Sequence, residues 1–306
     1  DFISSIRSPP IHIFSKLYHK LHGGSIRNPS PYREKLTVFL LALPLRFLYN
    51  EKIRKTIQKR GPEKENTKPM KIQFLNGGLG NQAFQYIFAR YYELSHPNET
   101  MYLDDSYFAL NTVHNGYELG RVFGIKPHML SECFDEEVWA FILDEKRKGK
   151  SVPQILSDNG IPFLLLSEGE GYKSFNPFDG TVSCLPWNEY LPQILDIPED
   201  IYYHGYWLNH LWFDRFQDTF RQEFCFPPIT EEHNRDYMDK ILNSDSISIH
   251  VRRGDFVTLG WAFPLEQYRR FIDEFISLRS DQGSLFVFSD DIGWCRENRE
   301  ALGFNR

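Results

Sequence analysis

The sequence predicts an α/β fold with two lobes, each built on a parallel β-sheet, and with the second lobe incomplete. Two observations predict this class. Short apolar strands alternate with amphipathic helices after Lys71, and the same alternation returns at Ser246. A length of 306 residues accommodates two lobes. Only two strands follow residue 240, whereas a doubly wound lobe usually has about five or six, so we expect its C-terminal part to be missing.

Residues 1–69 are predicted to be a basic N-terminal extension and linker. They hold 14 Lys and Arg against 5 Asp and Glu, whereas the rest of the chain holds 21 against 36. The apolar run LTVFLLALPLRFLY, residues 36–49, is too short to span a bilayer and contains a proline and an arginine. Two interpretations stay open for it: a packing helix, or a segment that rests on an anionic membrane surface.

The first lobe is predicted over residues 70–240. It opens with the strand KIQFLN, the glycine turn GGLG and the helix NQAFQYIFARYYEL, whose apolar side chains recur at helical spacing. The strand TMYLDD follows and ends in Asp104 and Asp105. This β-α-β order predicts the start of a parallel sheet. Residues 112–200 are less regular, and the aromatic segment after them turns from strand into helix near Trp212.

The second lobe is predicted over residues 241–306. SISIHV is a strand, RRGDF a loop, and LEQYRRFIDEFISL a clear amphipathic helix. SLFVFSDD is a further strand, and IGWCRENREAL is a helix. Polar side chains follow both strands at their carboxyl ends, where open α/β folds bind ligands. They are His250, Arg252, Arg253 and Asp255 after the first strand, and Ser289, Asp290 and Asp291 after the second.

Two interpretations stay open for the ligand of the glycine turn. Residues 78–83 (GLGNQA) fit the dinucleotide pattern G-x-G-x-x-G/A, and Asp104 and Asp105 lie where an acid would bind a ribose. Against this, Asn81 and Gln82 place amides where small or apolar residues are usual, and no hydride-transfer site follows. A nicotinamide-dependent oxidoreductase therefore stays an alternative to a protein that binds another ligand here.

The adjacent arginines Arg252 and Arg253 indicate an anion site. Like charges on a turn repel, and guanidinium forks match phosphate oxygens in a bidentate manner. Asp255 can hold one fork, and His250 can reach a base or ribose. The alternative is a surface Arg–Asp pair near a core histidine. The acids after the second strand either bind guanine or ribose, or cap the helix that follows.

Four segments taken together resemble a known family. GGLGNQAFQYIFA, YYHGYWLNHLWF and HVRRGDF, with LFVFSDDIGWCRENR after them, are similar to glycosyltransferase family 11, the α-1,2-fucosyltransferases, in its bacterial branch. The resemblance covers residues 70–306. Ala83, Leu208 and Asn209 depart from the family pattern. The family's C-terminal serine-tryptophan motif, which helps to close the donor site, is absent from this sequence.

The resemblance implies a GT-B-like fold with the donor in the cleft between the lobes. It implies inverting transfer of L-fucose from GDP-β-L-fucose to a galactoside hydroxyl in surface polysaccharide synthesis, with no metal and no cofactor. The implied partners are GDP-fucose and a galactose-containing oligosaccharide or lipid-linked glycan, and not nucleic acid. The implied location is the bacterial cytoplasm, with peripheral membrane contact through residues 1–69. An inactive sugar-nucleotide-binding fragment is a further alternative.

Residue roles follow from the same resemblance. Arg252 and Asn81 are the implied catalytic residues, with Arg252 on the β-phosphate. Tyr206 and Trp207 are placed on the acceptor side, where aromatic faces can stack on sugars or instead fill the core. The general base is left open. The other implied donor contacts are Gly77, Gly78, Gly80, His250, Arg253, Asp255, Ser289, Asp290 and Asp291, and the candidate bases are Asp104, Asp105 and Glu168.

Overall fold

The computed structural model describes residues 69–111, 114–169, 184–185, 187–277 and 284–302. The predicted basic extension therefore lies outside the described residues, apart from Pro69. The chain divides into two compact units, with the boundary between Phe226 and Pro227. Within the described ranges, no helix is long and apolar enough to cross a membrane.

The first unit is organised around a five-stranded sheet in which every strand pair is parallel. The strand order is β2-β1-β5-β3-β4. The strands are β1 (Lys71–Phe74), β2 (Met101–Asp104), β3 (Leu164–Glu168), β4 (Cys184–Leu185) and β5 (Ile201–His204). Because the pairs are parallel, all five strands deliver their carboxyl ends to one edge of the sheet.

Helices and short 3-10 turns connect these strands. They are α1 (Leu79–Ser95), α2 (Ser106–Leu110), α3 (Leu119–Phe123), α4 (Glu136–Arg147), α5 (Val152–Asp158), α6 (Leu211–Asp214) and α7 (Gln217–Glu223), with 3-10 turns at Ser131–Cys133 and Pro192–Leu195.

Alternation along the strands places one hydrophobic cluster on each face of this sheet. Ile72 and Tyr202 pack with α4 and α5 on one face, whereas Leu75 and Tyr203 pack with α1 on the other. Apolar side chains cover both faces, as is usual for a parallel sheet.

The second unit contains two parallel strands, β6 (Ser246–Val251) and β7 (Ser284–Ser289), paired from end to end. Its helices are α8 (Glu232–Leu242), α9 (Gly254–Leu259), α10 (Leu265–Ser277) and α11 (Ile292–Glu297). Val251, Tyr268, Cys295 and Leu302 form its small core.

The predicted α/β class with parallel sheets is confirmed. The β1-α1-β2 order, the strands SISIHV and SLFVFS, and the amphipathic helix α10 lie where the periodicity placed them. Two details were wrong. RRGDF is not all loop, because α9 begins at Gly254. The last predicted helix ends early, at Glu297. Strand β3 was not predicted, although LLLSE is a short apolar run of the kind that forms buried strands.

Candidate functional site

The carboxyl ends of β6 and β7 lie side by side. Val251 pairs with Ser289, and the Ser289 hydroxyl donates to the Val251 carbonyl at 2.7 Å. The arginine turn, residues 252–254, follows β6 directly, and Asp290 and Asp291 follow β7. The structure thus brings the polar residues predicted after these two strands to one edge of the second unit.

Arg252 presents its guanidinium at this edge. Its Nη2 donates to Asp255 Oδ1 at 2.8 Å, and its Nε lies 3.4 Å from Asp290 Oδ2 as an ion pair without hydrogen-bond geometry. The guanidinium carbon lies 4.8 Å from the centre of the Phe256 ring. The side chain is 43% exposed. Ion pairs exposed to this degree contribute little to stability, so an incoming anion can compete for the guanidinium.

Arg253 is held more firmly. Its backbone N–H donates to Asp290 Oδ1 at 2.8 Å, and its Nε donates to Asp291 Oδ2 at 3.2 Å. Its guanidinium stacks at 3.8 Å on the ring of Trp294. Asp291 also accepts from the Trp294 N–H and thereby caps α11. Of the two alternatives left open for these acids, the capping role therefore applies to Asp291.

Asp290 shapes the arginine turn. Besides accepting from the Arg253 N–H, its Oδ2 would lie 2.7 Å from a Cβ added at Gly254, so a side chain there would displace the carboxylate. His250 is exposed and pairs with Phe288, and both point to the face opposite the Val251 core. Two guanidinium groups with five N–H donors each thus meet three carboxylates at this edge.

The glycine turn, residues 77–80, lies at the carboxyl edge of the first-unit sheet. Gly77 has a left-handed φ of 78°, and a Cβ there would lie 2.5 Å from Asn81 Nδ2. Gln82 is buried, donates to the carbonyls of Gly77 and Gly116 at 2.9 Å, and accepts from the Glu118 N–H at 2.8 Å. The Gln82 amide therefore fixes the turn from inside the fold and does not face a ligand.

The aromatic segment after β5 mainly fills the core. Trp207 is 2% exposed, stacks on Phe88 at 4.1 Å, and donates through Nε1 to Gln73 Oε1. Trp212 is buried as well. The buried indole of Trp207 has no face left for a sugar, so the predicted acceptor contact at Trp207 was wrong. Tyr206 is half-buried, and its hydroxyl lies 3.4 Å from Asn76 Nδ2.

The three candidate bases are bound within the fold. Asp104 accepts from the Tyr202 hydroxyl at 2.5 Å and from the Ser106 N–H at 2.9 Å. Asp105 accepts from both the N–H and the hydroxyl of Ser131, and burial raises its pKa. The Glu168 carboxylate accepts three backbone N–H groups. None of these carboxylates is placed to receive a proton from a substrate.

His204 is a titratable group at this edge that the sequence interpretation missed. It ends β5, and its ring contacts Phe74 edge-on at 4.8 Å. Burial, together with the nearby Lys146 ammonium, lowers the pKa of His204 to about 4. The imidazole is therefore neutral at pH 7. The available signal was a histidine at the carboxyl end of an apolar strand. In the described part of the chain, no group of His, Cys, Asp and Glu side chains could hold a metal ion.

Part of the chain matches a known protein family. Residues 186–302 match the family model described as "Glycosyl transferase family 11". Over these 117 of its 306 residues, the chain is similar to glycosyltransferase family 11. The matched region contains β5, the Tyr206 turn, the arginine turn and the acids after β7, so the resemblance drawn from these motifs is confirmed.

Two curated relatives from Escherichia coli are distant homologues. The chain is 28% identical over 242 residues to an alpha-1,2-colitosyltransferase, with 74% of this chain and 71% of the relative covered. It is 25% identical over 240 residues to the O-antigen biosynthesis glycosyltransferase WbnK, with 72% of each chain covered. No solved structure matches.

Proposed function

We propose that this glycosyltransferase moves L-fucose from GDP-β-L-fucose to a galactoside hydroxyl in an α-1,2 linkage, with inversion, during synthesis of a bacterial surface polysaccharide. The arginine turn is the observation that carries the proposal. The match of residues 186–302 to the family model supports a sugar-nucleotide donor and a glycan acceptor. The names of the two relatives support the α-1,2 linkage and the O-antigen setting.

The reaction needs stabilisation of a leaving diphosphate. Fucose departs as an oxocarbenium-like fragment while negative charge builds on the β-phosphate, and fixed guanidinium groups lower that barrier. Arg252 is suited to this task because its fork is half-exposed and its ion pairs with Asp255 and Asp290 lie at the surface. Arg253, which stacks on Trp294, is suited to holding the turn.

The remaining roles are part of the same proposal. His250 and Asp290 are proposed to contact the guanine or ribose. Gly80 is proposed as a place where the donor can approach the backbone, since a Cβ there would meet nothing within 4 Å. Asn81, half-buried over Gly77, is proposed to contact the donor sugar or diphosphate.

The sugar moiety of the donor needs its own test, because one relative is named for colitose, which is 3-deoxy-L-fucose. A site that hydrogen-bonds a substrate hydroxyl discriminates strongly against the analogue that lacks it. We therefore propose that GDP-fucose outcompetes GDP-colitose when the two are offered together. If the protein prefers GDP-colitose, the proposed α-1,2 glycosyl transfer stands, but the donor sugar is colitose and not fucose.

The experiment measures GDP release from GDP-fucose with a galactoside offered, and then the linkage of the product by NMR. Arg252→Ala should abolish transfer, and Arg252→Lys should recover little of it, because Lys keeps the charge but lacks the planar fork. Arg269→Ala is the matched control. Arg269 is also about half-exposed and pairs with an aspartate, Asp273, at 3.1 Å, but it lies on α10. Its loss should leave transfer unchanged.

Two other outcomes would contradict the proposed fucosyl transfer and favour a different function. Stabilisation by NAD with no response to GDP would favour the oxidoreductase interpretation of the glycine turn. Binding of GDP with no transfer to any galactoside would favour an inactive sugar-nucleotide-binding protein.

A further inference from the structure

Glu168 is a buried carboxylate at the carboxyl end of β3. It is 1% exposed, and its Oε1 accepts from the Asn188 N–H at 2.7 Å. Its Oε2 accepts from the N–H groups of Tyr206 and Trp207 at 2.8 and 2.9 Å. One side chain thus joins two turns that are 18 residues or more apart in the sequence, the turn at Trp187–Asn188 and the turn that follows β5.

Both turns contain backbone that a non-glycine residue seldom adopts. Asn188 has a φ of 59° and Trp207 a φ of 57°, and both donate their N–H to Glu168. Left-handed backbone at such residues is retained only when its surroundings hold it in place. The Glu168 carboxylate accepts one N–H group from the first turn and two from the second, so it holds the two turns together.

The turn at residues 187–188 exposes an aromatic ring. Trp187 is 43% exposed, in contrast to the buried Trp207. The indole rests on Gly169, where a Cβ would lie 2.2 Å from two of its ring carbons. Gly169 follows Glu168 directly and has a φ of 106°, so glycine is needed there both for the backbone and for the ring.

The turn after β5 places polar groups at the same edge of the sheet. The Tyr206 hydroxyl accepts from Asn76 Nδ2, and Asn76 is fixed by two hydrogen bonds with Gln85 of α1. Asn76 immediately precedes the glycine turn. An exposed indole beside half-buried phenol and amide groups is the combination that binds a sugar, because the ring covers C–H groups while the polar groups bind hydroxyls.

We propose that Trp187 and Tyr206 contact the acceptor sugar of this glycosyltransferase, and that Glu168 is the positioning residue that holds both. The inference rests on the proposed function for the identity of the reaction, and it identifies the first-unit surface that receives the galactoside. Glu168 acts through the backbone of Asn188, Tyr206 and Trp207. Its two oxygens are already occupied by N–H groups, so it does not act on the substrate itself.

The test uses methyl β-D-galactoside as the probe. Trp187→Ala should raise the acceptor KM about tenfold, the effect of losing one stacking face with its buried area, and leave the donor KM within about twofold. Trp187→Phe should restore part of the affinity. Trp261→Ala removes an indole that is 63% exposed in the second unit, and it should change neither constant.

Glu168→Gln tests the positioning role. It should raise the acceptor KM and speed hydrogen exchange either at the amide of Asn188 or at the amides of Tyr206 and Trp207. Gln keeps one acceptor oxygen, and its NH2 group cannot accept from the amides that bonded to the other oxygen of Glu168. Ile155→Val, buried in the cluster on the opposite face of the sheet, is the control for general loss of stability, and it should leave the acceptor KM unchanged.

The outcomes separate this inference from the proposed function. An active enzyme in which Trp187→Ala has an unaltered acceptor KM overturns the inference and leaves the function standing. Glu168→Gln with unaltered exchange at the three amides overturns the positioning role. If the wild-type protein transfers no sugar but binds the galactoside by saturation-transfer NMR, and Trp187→Ala abolishes that binding, the sugar site stands and the transfer function fails.

Discussion

Replacing Gly205 by Ala puts a methyl group into a buried, close-packed part of the first unit. The added Cβ would lie 2.8 Å from Glu168 Cβ, 2.9 Å from Glu168 Oε2 and 2.9 Å from Trp207 Cε2. Ordinary contacts begin near 3.4 Å, so both neighbours must move by about 0.5 Å. Glu168 is held by three N–H groups, and Trp207 is stacked on Phe88, so neither can move without losing interactions.

The expected loss follows from this geometry. Overpacking a close-packed core costs roughly 1–3 kcal/mol of unfolding free energy. For a unit of this size, that corresponds to a fall in Tm of roughly 2–4 °C per kcal/mol. The loss arises from steric contact alone, since the φ of Gly205 lies outside the left-handed region.

Gly80→Ala is the matched control. A Cβ at Gly80 meets nothing within 4 Å, and the residue lies inside α1, so alanine should stabilise the protein by roughly 0.5–1 kcal/mol. Urea titration followed by tryptophan fluorescence measures both changes. If Gly205→Ala is as stable as the wild-type protein, the carboxylate is not held as described, and the argument for Glu168 as a positioning residue fails.

Three further predictions concern other regions. The pKa of His204 is lowered in the folded state, so the unfolded chain binds the extra proton first as the pH falls. The free energy of unfolding should therefore fall by about 3 kcal/mol between pH about 6.5 and pH about 4. His204→Gln should narrow the difference in Tm between pH 7 and pH 4.5, and an equal difference in both proteins would contradict the lowered pKa. Gly80→Ala should weaken GDP-fucose binding despite the gain in stability, and unchanged donor affinity would remove Gly80 from the donor site. Deleting residues 1–68 should abolish sedimentation with anionic vesicles if the basic extension contacts membranes, and a full-length chain that stays in the supernatant would exclude that role.

The fold was largely predictable because its signals are local. The β1-α1-β2 order follows from an apolar run, a glycine turn and helical spacing within about 35 residues, and parallel pairing follows from that order. Strand β3 was missed because its apolar run lies in an irregular region, and it is its pairing with β5 and β4 that distinguishes it from a loop.

The site residues were predictable where polar side chains directly follow the ends of strands. They were less predictable where burial determines whether a side chain can reach a ligand. Arg252, Arg253 and Asp290 meet because β6 and β7 are parallel neighbours. Sequence cannot tell Trp207 from Trp187, since both lie in aromatic, turn-rich segments. Packing on Phe88 buries one ring, whereas the turn held by Glu168 exposes the other.

We propose that the arginine turn binds the diphosphate of a GDP-linked donor. The most direct measurement is the Tm of the wild-type protein with GDP and with NAD, repeated for Arg252→Ala and for the control Arg269→Ala. We expect GDP to raise the Tm of the wild-type protein and of Arg269→Ala but not that of Arg252→Ala, and we expect NAD to change none of the three Tm values. An equal response to GDP in Arg252→Ala, or stabilisation of the wild-type protein by NAD and not by GDP, would contradict it.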